Sequence, residues 1–361
     1  IGIGSAITTE LWLLDAHDPE AAPTVVCARE PGIEYSVAHH RSGLYITSNR
    51  DGAEDFAVWR AELTGLQVAP PERWTPVVPS RPGTRYTGVE AFADHAVVHG
   101  RSAGTTALWL LDHTSLGLTR VETDEEVATI GPGANPSFAT ATYRFGYQSL
   151  TTPPSVVDLE VGTGTRTVRK RQPVLDGFDP DDYRSERLWA TAPDGTEVPI
   201  SIVWRPDRAD GDGPSPCVLY GYGAYEISMD PWFSIARLSL LDRGVAFAIA
   251  HVRGGGELGR RWYTDGKFGA KANSFTDLVA CAQHLCRIGR TEPAQLAVRG
   301  GSAGGLLVGA AVNAAPELFR AAVAEVGFVD PLNTMLDPSL PLTVIEWDEW
   351  GDPLHLSLIH I

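Results

Sequence analysis

The spacing of apolar positions changes near residue 171. From Ile1 to about Arg171 the apolar residues come in short stretches: Leu11–Leu14, Gly43–Thr47, Phe56–Arg60, Ala96–His99, Leu108–Leu111 and Tyr143–Tyr147. Asn49-Arg50-Asp51-Gly52 and Gly162-Thr163-Gly164 lie between such stretches, and Asn, Asp and Gly accept the dihedrals that tight turns require. No helical period appears. Short strands with regular turns predict an all-β sandwich or propeller. A repeat favours the propeller. Thr8-Thr9-Glu10-Leu11-Trp12-Leu13-Leu14-Asp15 returns 97 residues later as Thr105-Thr106-Ala107-Leu108-Trp109-Leu110-Leu111-Asp112, an offset of about two blades of roughly 45–50 residues. By length, about three to four blades fit, so a partial propeller is expected over 1–171.

Residues 172–183 carry Pro173, Gly177, Pro180 and several acids, the composition of a linker. Beyond them the pattern is different. Val218–Tyr220, Val245–Val252, Leu296–Val298 and Ala321–Val326 are nearly continuous apolar runs, as expected of parallel strands covered on both faces. Between the second and third run, Phe275, Leu278, Val279, Ala282 and Leu285 recur at helical spacing, with Asn273 or Ser274 in position to cap the helix. Strand, helix, strand, helix predicts an α/β domain over 184–355, with a parallel sheet and flanking helices.

The third run leads into Gly300-Gly301-Ser302-Ala303-Gly304-Gly305 and then into the apolar stretch Leu306–Val312. Strand, G-x-S-x-G, helix is the nucleophile elbow of α/β-hydrolases, a sharp turn that raises a serine hydroxyl above the sheet. Glycine is expected where a Cβ would strike the neighbouring element, and the N-terminus of the following helix favours a developing oxyanion. Ser302 is therefore the candidate nucleophile, and the N–H of Ala303 is one oxyanion donor.

Composition narrows the setting. The chain has 29 basic and 45 acidic residues, a net charge of −16, which argues against nucleic acid as a partner and suits either solubility or attraction of cationic substrates. No apolar run reaches about 18 residues, so no membrane span is expected. Cys27, Cys217, Cys281 and Cys286 are scattered, without the spacing of a zinc or redox site. Sparse cysteines suit a reducing, cytoplasmic compartment. No cofactor or metal is expected. His251-Val252-Arg253-Gly254-Gly255-Gly256 reads as a structural turn at the catalytic edge; a phosphate loop is the other reading, but no Lys-Ser/Thr follows it.

The motifs resemble the oligopeptidase B branch of the prolyl oligopeptidase family. The resemblance rests on Gly300–Gly305, Pro316-Glu317-Leu318-Phe319, Phe328-Val329-Asp330, Leu219–Tyr225, His251–Gly259, Trp262-Tyr263, Thr334–Asp337, Glu349-Trp350-Gly351 and, in the first half, Ser149–Pro153. It implies that the Tyr222 hydroxyl is the second oxyanion donor, with a packed aromatic residue beside a glycine turn as the alternative. It also implies cleavage of short basic peptides after Arg or Lys, with the propeller restricting access to small substrates. Glu346 and Asp348 match the family's pair of pocket glutamates, and alternation along an extended segment places them on one side. Asp348 departs from the usual Glu, and solvated surface acids are the alternative for both. Asp230 matches an acid that reads the next residue upstream, although Trp232 replaces its usual companion. Phe328 joins the substrate-binding set. Gly327 stands where the family usually has Pro.

In this fold the acid and base follow the serine, and 59 residues follow Ser302, which is too few to carry both. Asp330, Asp337 and Asp352 match family positions outside the triad, and His355 lies close to the pocket segment. An internal fragment is expected, inactive by itself. Residues 356–361, Leu-Ser-Leu-Ile-His-Ile, match one reading frame of a common transposase sequencing adapter and are expected to be non-native. A prolyl oligopeptidase or acylaminoacyl-peptidase, with Trp347 and Trp350 lining an apolar pocket, remains open, as does a non-catalytic propeller binding module. Sequencing the source DNA tests the tail: its codons are expected to read CTGTCTCTTATACACATC, and any other sequence removes the adapter explanation.

Overall fold

The computed structural model describes residues 1–5, 7–18, 20–175, 177–208, 213–352 and 354. His355 and the tail 356–361 lie outside the described residues. Contacts divide the chain into two units. The first comprises 1–122, 130–146 and 156–169; the second comprises 123–129, 147–155 and 170–361. The division is therefore not a single cut near residue 171, because two segments from the end of the β-rich half belong to the second unit.

The first half is a run of meandering sheets, each strand hydrogen-bonded to the next in its sheet. The first holds Gly2–Gly4, Thr9–Leu13 and Thr24–Val25. The second holds Tyr35–His40, Gly43–Ser48, Ala57–Ala61 and Thr75–Val78, with a small hairpin inserted before its last strand. Thr84–Ala91, His95–Ser102, Thr105–Asp112 and Leu118–Arg120 form the third. The fourth runs from Ala128–Pro132 through Thr142–Ser149 and Ser155–Glu160 to Arg166–Arg171. This is a partial β-propeller. The sequence repeat has a structural counterpart, since Trp12 pairs with Val25 and Trp109 with Arg120, each on the strand that follows, two sheets apart. Side chains from successive sheets interlock. Val26, Tyr35, Leu44 and Ile46 join the first to the second, and Tyr45, Val58, Tyr86, Val98 and Trp109 join the second to the third.

The second unit is built on a six-stranded sheet. Its strands are β1 (Arg184–Thr191), β2 (Glu197–Trp204), β3 (Cys217–Tyr220), β4 (Ala246–Ala250), β5 (Leu296–Gly301) and β6 (Ala321–Glu325). The order is β1-β2-β4-β3-β5-β6. The β1–β2 and β2–β4 pairs are antiparallel, and the pairs from β4 to β6 are parallel. Helices α1 (Ile235–Leu241), α2 (Arg260–Thr264), α3 (Ala272–Arg287), α4 (Ala303–Ala314), α5 (Pro331–Leu336) and α6 (Thr343–Trp350) complete the described elements. Ile200, Leu219, Ala248, Leu278, Leu285, Val298 and Leu307 share the core beneath α3 and α4.

Two expectations need correction. Neither Asn273 nor Ser274 caps α3. The Asn273 side chain donates to the Asp265 carbonyl, and the Ser274 hydroxyl, fully buried, donates to that of Arg253. The β6 run was expected to be covered on both faces, yet all five of its residues are exposed. It is the last strand in the sheet order among the described residues, and Val326 just beyond it is 89% exposed.

The phosphate-loop reading of the Arg253 turn also fails, because its donors are already used. The Arg253 guanidinium donates to both carboxylate oxygens of the buried Asp277, at 2.6 and 2.9 Å, and to Asp194 at 2.6 Å. The Asp277 carboxylate also accepts the Arg253 main-chain N–H. Removing one partner of a buried ion pair leaves an uncompensated charge. Asp277→Ala is therefore expected to destabilise the second unit by about 3–5 kcal/mol. Asp194 has a side chain that is 47% exposed, and Asp194→Ala should cost about 1 kcal/mol or less. Urea unfolding of the two variants checks the order; equal losses would contradict it.

Candidate active site

Ser302 occupies the single residue between β5 and α4, with φ 55° and ψ −120°. A non-glycine residue with positive φ is strained, and the neighbours hold it there. The Ser302 N–H donates to the Glu325 carbonyl on β6, and the Ser302 carbonyl accepts from the N–H groups of Gly305 and Phe328. Close backbone packing explains two of the glycines. A Cβ at Gly300 would lie 2.3 Å from the Gly304 carbonyl oxygen, and one at Gly304 would lie 2.6 Å from that of Gly221. Gly301 has no such constraint, its nearest neighbour being 3.7 Å away. Gly327, the departure from the family's Pro, packs against Gly305, where a Cβ would approach the Gly327 Cα to 2.5 Å. The serine itself is exposed.

Tyr222 follows β3 in the loop 221–226. Its phenol lies within the influence of the Ser302 side chain, which acts to lower it. Burial, the largest influence, raises the Tyr222 phenol above its ordinary range, which keeps it protonated and able to donate. Ala303, buried, begins the twelve-residue helix α4, so its N–H belongs to the first turn, where backbone donors lack partners within the helix. Serine hydroxyl, tyrosine hydroxyl and helix N-terminus thus meet at one end of the sheet.

The pocket segment differs from expectation. Residues 343–350 form helix α6 rather than an extended strand, so positions 346 and 348 do not share a face. Glu346 and Glu349, three apart, do. The Glu346 carboxylate accepts from the Tyr225 hydroxyl at 3.0 Å. Glu349 is buried and accepts from the Tyr225 main-chain N–H at 3.0 Å and the Tyr263 hydroxyl at 2.6 Å. Asp348 is exposed, and its main-chain carbonyl, rather than its carboxylate, takes the Lys267 ammonium. Phe328, Trp347, Tyr222 and Tyr225 pack in one cluster with Ala303, Met335 and Trp350. Phe328 and Trp350 have ring centroids 5.1 Å apart. Trp347 donates to the Met335 carbonyl and Trp350 to the Tyr225 hydroxyl.

Asp230 lies in the loop between β3 and α1. Its loop neighbours Met229 and Trp232 pack against Val127, Leu150 and Phe233, and its charge acts on the buried His251. Asp330 caps α5, and Asp337 accepts from Ser339, so both serve local turns. The two histidines of this unit among the described residues are engaged elsewhere. His284 contacts Arg287. His251 Nε2 lies 2.7 Å from the Ser201 hydroxyl and Nδ1 lies 3.5 Å from Glu257. That set imitates a serine–histidine–acid arrangement, but all three residues are buried, and burial pushes His251 below its ordinary value. It has no access to a substrate.

A propeller followed in sequence by an α/β-hydrolase sheet with an exposed serine at its elbow defines the class. The prolyl oligopeptidase N-terminal β-propeller domain matches residues 1–172, and the prolyl oligopeptidase family peptidase domain matches residues 231–357. Protease 2 of Moraxella lacunata is 40% identical over 349 residues, covering 97% of this chain and 49% of that protein. Dipeptidyl aminopeptidase BI of Pseudoxanthomonas mexicana is 40% identical over 354 residues, 98% of this chain and 48% of that protein. Oligopeptidase B from Leishmania major has a similar structure, with TM-score 0.88 and 40% identity over 98% of this chain and 50% of its own. The chain belongs to the prolyl oligopeptidase family. It spans about half the length of the curated relatives it matches.

Sequence reasoning assigned no role to Lys271, Tyr225 or Glu349. The Lys271 ammonium is buried, donates to the carbonyls of Gly223 and Gly266, and lies 3.8 Å from Glu349. A lysine and a glutamate 78 positions apart carry no periodic signal. Burial depresses Lys271 from 10.5 to about 8, against the pull of Glu349. The folded state therefore sheds this proton before the unfolded chain does, and the unfolded state binds more protons between about 8 and 10.5. Stability attributable to Lys271 rises with pH through that window and is lost as pH falls through about 8. Unfolding free energies of wild type minus Lys271→Met are expected to climb from pH 8 to 10, by up to about 1.4 kcal/mol per pH unit; a flat difference would refute the assignment.

Proposed function

We propose that the natural protein is a serine endopeptidase that cuts short peptides after Arg or Lys through an acyl-enzyme on Ser302. The observation that carries this reading is an exposed serine, held at positive φ before α4, with the Tyr222 phenol beside it. Ser302 Oγ attacks the scissile carbonyl carbon and gives up its proton to a base. The carbonyl π electrons move onto oxygen, where the Ala303 N–H and the Tyr222 hydroxyl donate to the oxyanion. Collapse breaks the C–N bond, and the leaving amine takes the proton. Water then attacks the ester and restores the serine. In this reading the base and its acid partner belong to parts of the natural protein outside residues 1–355, and residues 1–355 are inactive alone. Glu346, fixed by Tyr225, is the acid for the substrate cation; Phe328, backed by the buried Trp350, forms the apolar side, and Asp348, on the exposed face, is left out. Burying an arginine side chain without a carboxylate is costly, which is why a fixed acid selects a basic residue.

A second reading, a dipeptidyl aminopeptidase, is favoured by the 40% identity to the Pseudoxanthomonas mexicana enzyme of that name. Kinetics of the full natural reading frame decide. N-blocked arginyl substrates are expected to be cleaved well ahead of N-blocked prolyl ones. Ser302→Ala should abolish turnover by at least about a thousandfold, and Tyr222→Phe should lower kcat about a hundredfold. Cleavage confined to unblocked peptides would favour the second reading, and a prolyl preference would overturn both.

A further inference from the structure

One helical turn grips a single tyrosine at both ends. Glu349 accepts the Tyr225 main-chain N–H, while Glu346, three residues earlier on α6, accepts its phenolic O–H. The phenol oxygen also accepts from Trp350 Nε1 at 2.8 Å, and the two rings cross edge to face at 82°. Tyr225 needs this support. It sits at φ 61°, and Glu226 follows at φ 58°, two successive non-glycine residues in the left-handed region, each strained unless its surroundings fix it. Glu226 is itself tied down, its N–H donating to the Gly254 carbonyl and its carboxylate lying 2.8 Å from Arg260.

The same short loop carries Tyr222. Between the two tyrosines, the Gly223 carbonyl accepts from the Lys271 ammonium, and Lys271 lies against Glu349. A buried cation therefore holds the loop by a carbonyl and a buried anion holds it by an amide, with the two charges neutralising each other. Tyr263 and Lys267 extend the support, Tyr263 donating to the second Glu349 oxygen and accepting from Lys267. Every Glu349 contact is to the loop or to its supports, and the residue is buried. Glu346 is only partly buried, and Tyr225 engages its Oε2, leaving Oε1 for an incoming donor.

We propose that Tyr225 is a specificity-determining positioning residue. Anchored through its amide by Glu349, it orients the Glu346 carboxylate toward a substrate guanidinium or ammonium while fixing the loop that presents Tyr222 to the oxyanion. Glu349, although it belongs to the same acidic segment, acts on the loop and not on the substrate cation. Cation recognition and oxyanion stabilisation then share one strut. The proposal rests on the roles given to Ser302, Tyr222 and Glu346 above.

The test compares arginyl substrates with their isosteric, neutral citrullinyl counterparts, using the full natural reading frame. Tyr225→Phe keeps the ring and the amide but loses the bond to Glu346. It should raise KM for the arginyl substrate about tenfold, the loss of one hydrogen bond to a charged group, with kcat changed by less than about twofold and the citrullinyl KM unmoved. Glu349→Gln should lower kcat about tenfold for both substrates alike, with the arginine-to-citrulline ratio retained. Thermal melts accompany both variants, and kinetic values are normalised to the folded fraction. If Tyr225→Phe weakens both substrates equally, or if Glu349→Gln abolishes the preference for arginine, the proposal is overturned. Should Ser302→Ala remain active, the reading of the site fails first, and that failure is distinguishable because it appears with both substrates while Tyr225 and Glu349 are unchanged.

Discussion

A serine with φ near +55° exists here only because three backbones come nearly into contact around it. Gly300, Gly304 and Gly221 approach so closely that no Cβ fits at Gly300 or Gly304. The turn is further fixed by the Ser302 N–H on β6 and by the Phe328 N–H on the Ser302 carbonyl. The cost of the strained residue is met by the sheet and by α4. The exposed hydroxyl, the direction of the α4 N-terminus and the proximity of Tyr222 all follow from that packing.

Around the elbow, two ionic constructions fix loops by different means. Arg253 spans Asp277 and Asp194 and locks the glycine-rich turn after β4. Lys271 and Glu349 hold the tyrosine loop after β3 by its carbonyl and its amide. A buried charge is tolerable only when compensated, so each construction admits few alternative geometries. Loops that carry function are ordinarily mobile. Here the strands end in loops whose polar backbone atoms are bonded to interior charges, and side chains such as Tyr222 and Tyr225 inherit that rigidity.

Much of this was legible in the chain. The strand–serine–helix elbow is contained in about fifteen consecutive residues, and the change from short punctuated strands to long apolar runs marks where one architecture gives way to another. The repeat of Trp12 at Trp109 reported a spacing of two blades because each tryptophan occupies the same place in its own sheet. Less was legible at the pocket. Glu346 and Asp348 look paired under a two-residue period, and a helix replaces that period with one that pairs Glu346 and Glu349. Ser274 and Asn273 look like caps, but nearby carbonyls from Arg253 and Asp265 take their side chains. Nothing in the neighbourhood of Lys271 signals that its ammonium lies beneath a loop about fifty residues earlier.

What the sequence determined by itself is therefore the local chemistry: which serine stands between a buried strand and a helix, which glycines flank it, and that a β-rich half precedes an α/β half. These depend on neighbours within a few residues, where stereochemistry leaves few choices. Only the tertiary structure decided which acids face which donors. It turned 343–350 into a helix, buried Glu349 and exposed Asp348, and closed a Ser201–His251–Glu257 set inside the core, away from any substrate. Those outcomes depend on contacts such as Ser201 with His251 and Tyr225 with Glu349, 50 and 124 positions apart, whose energies are settled by desolvation and packing, which a linear pattern does not encode.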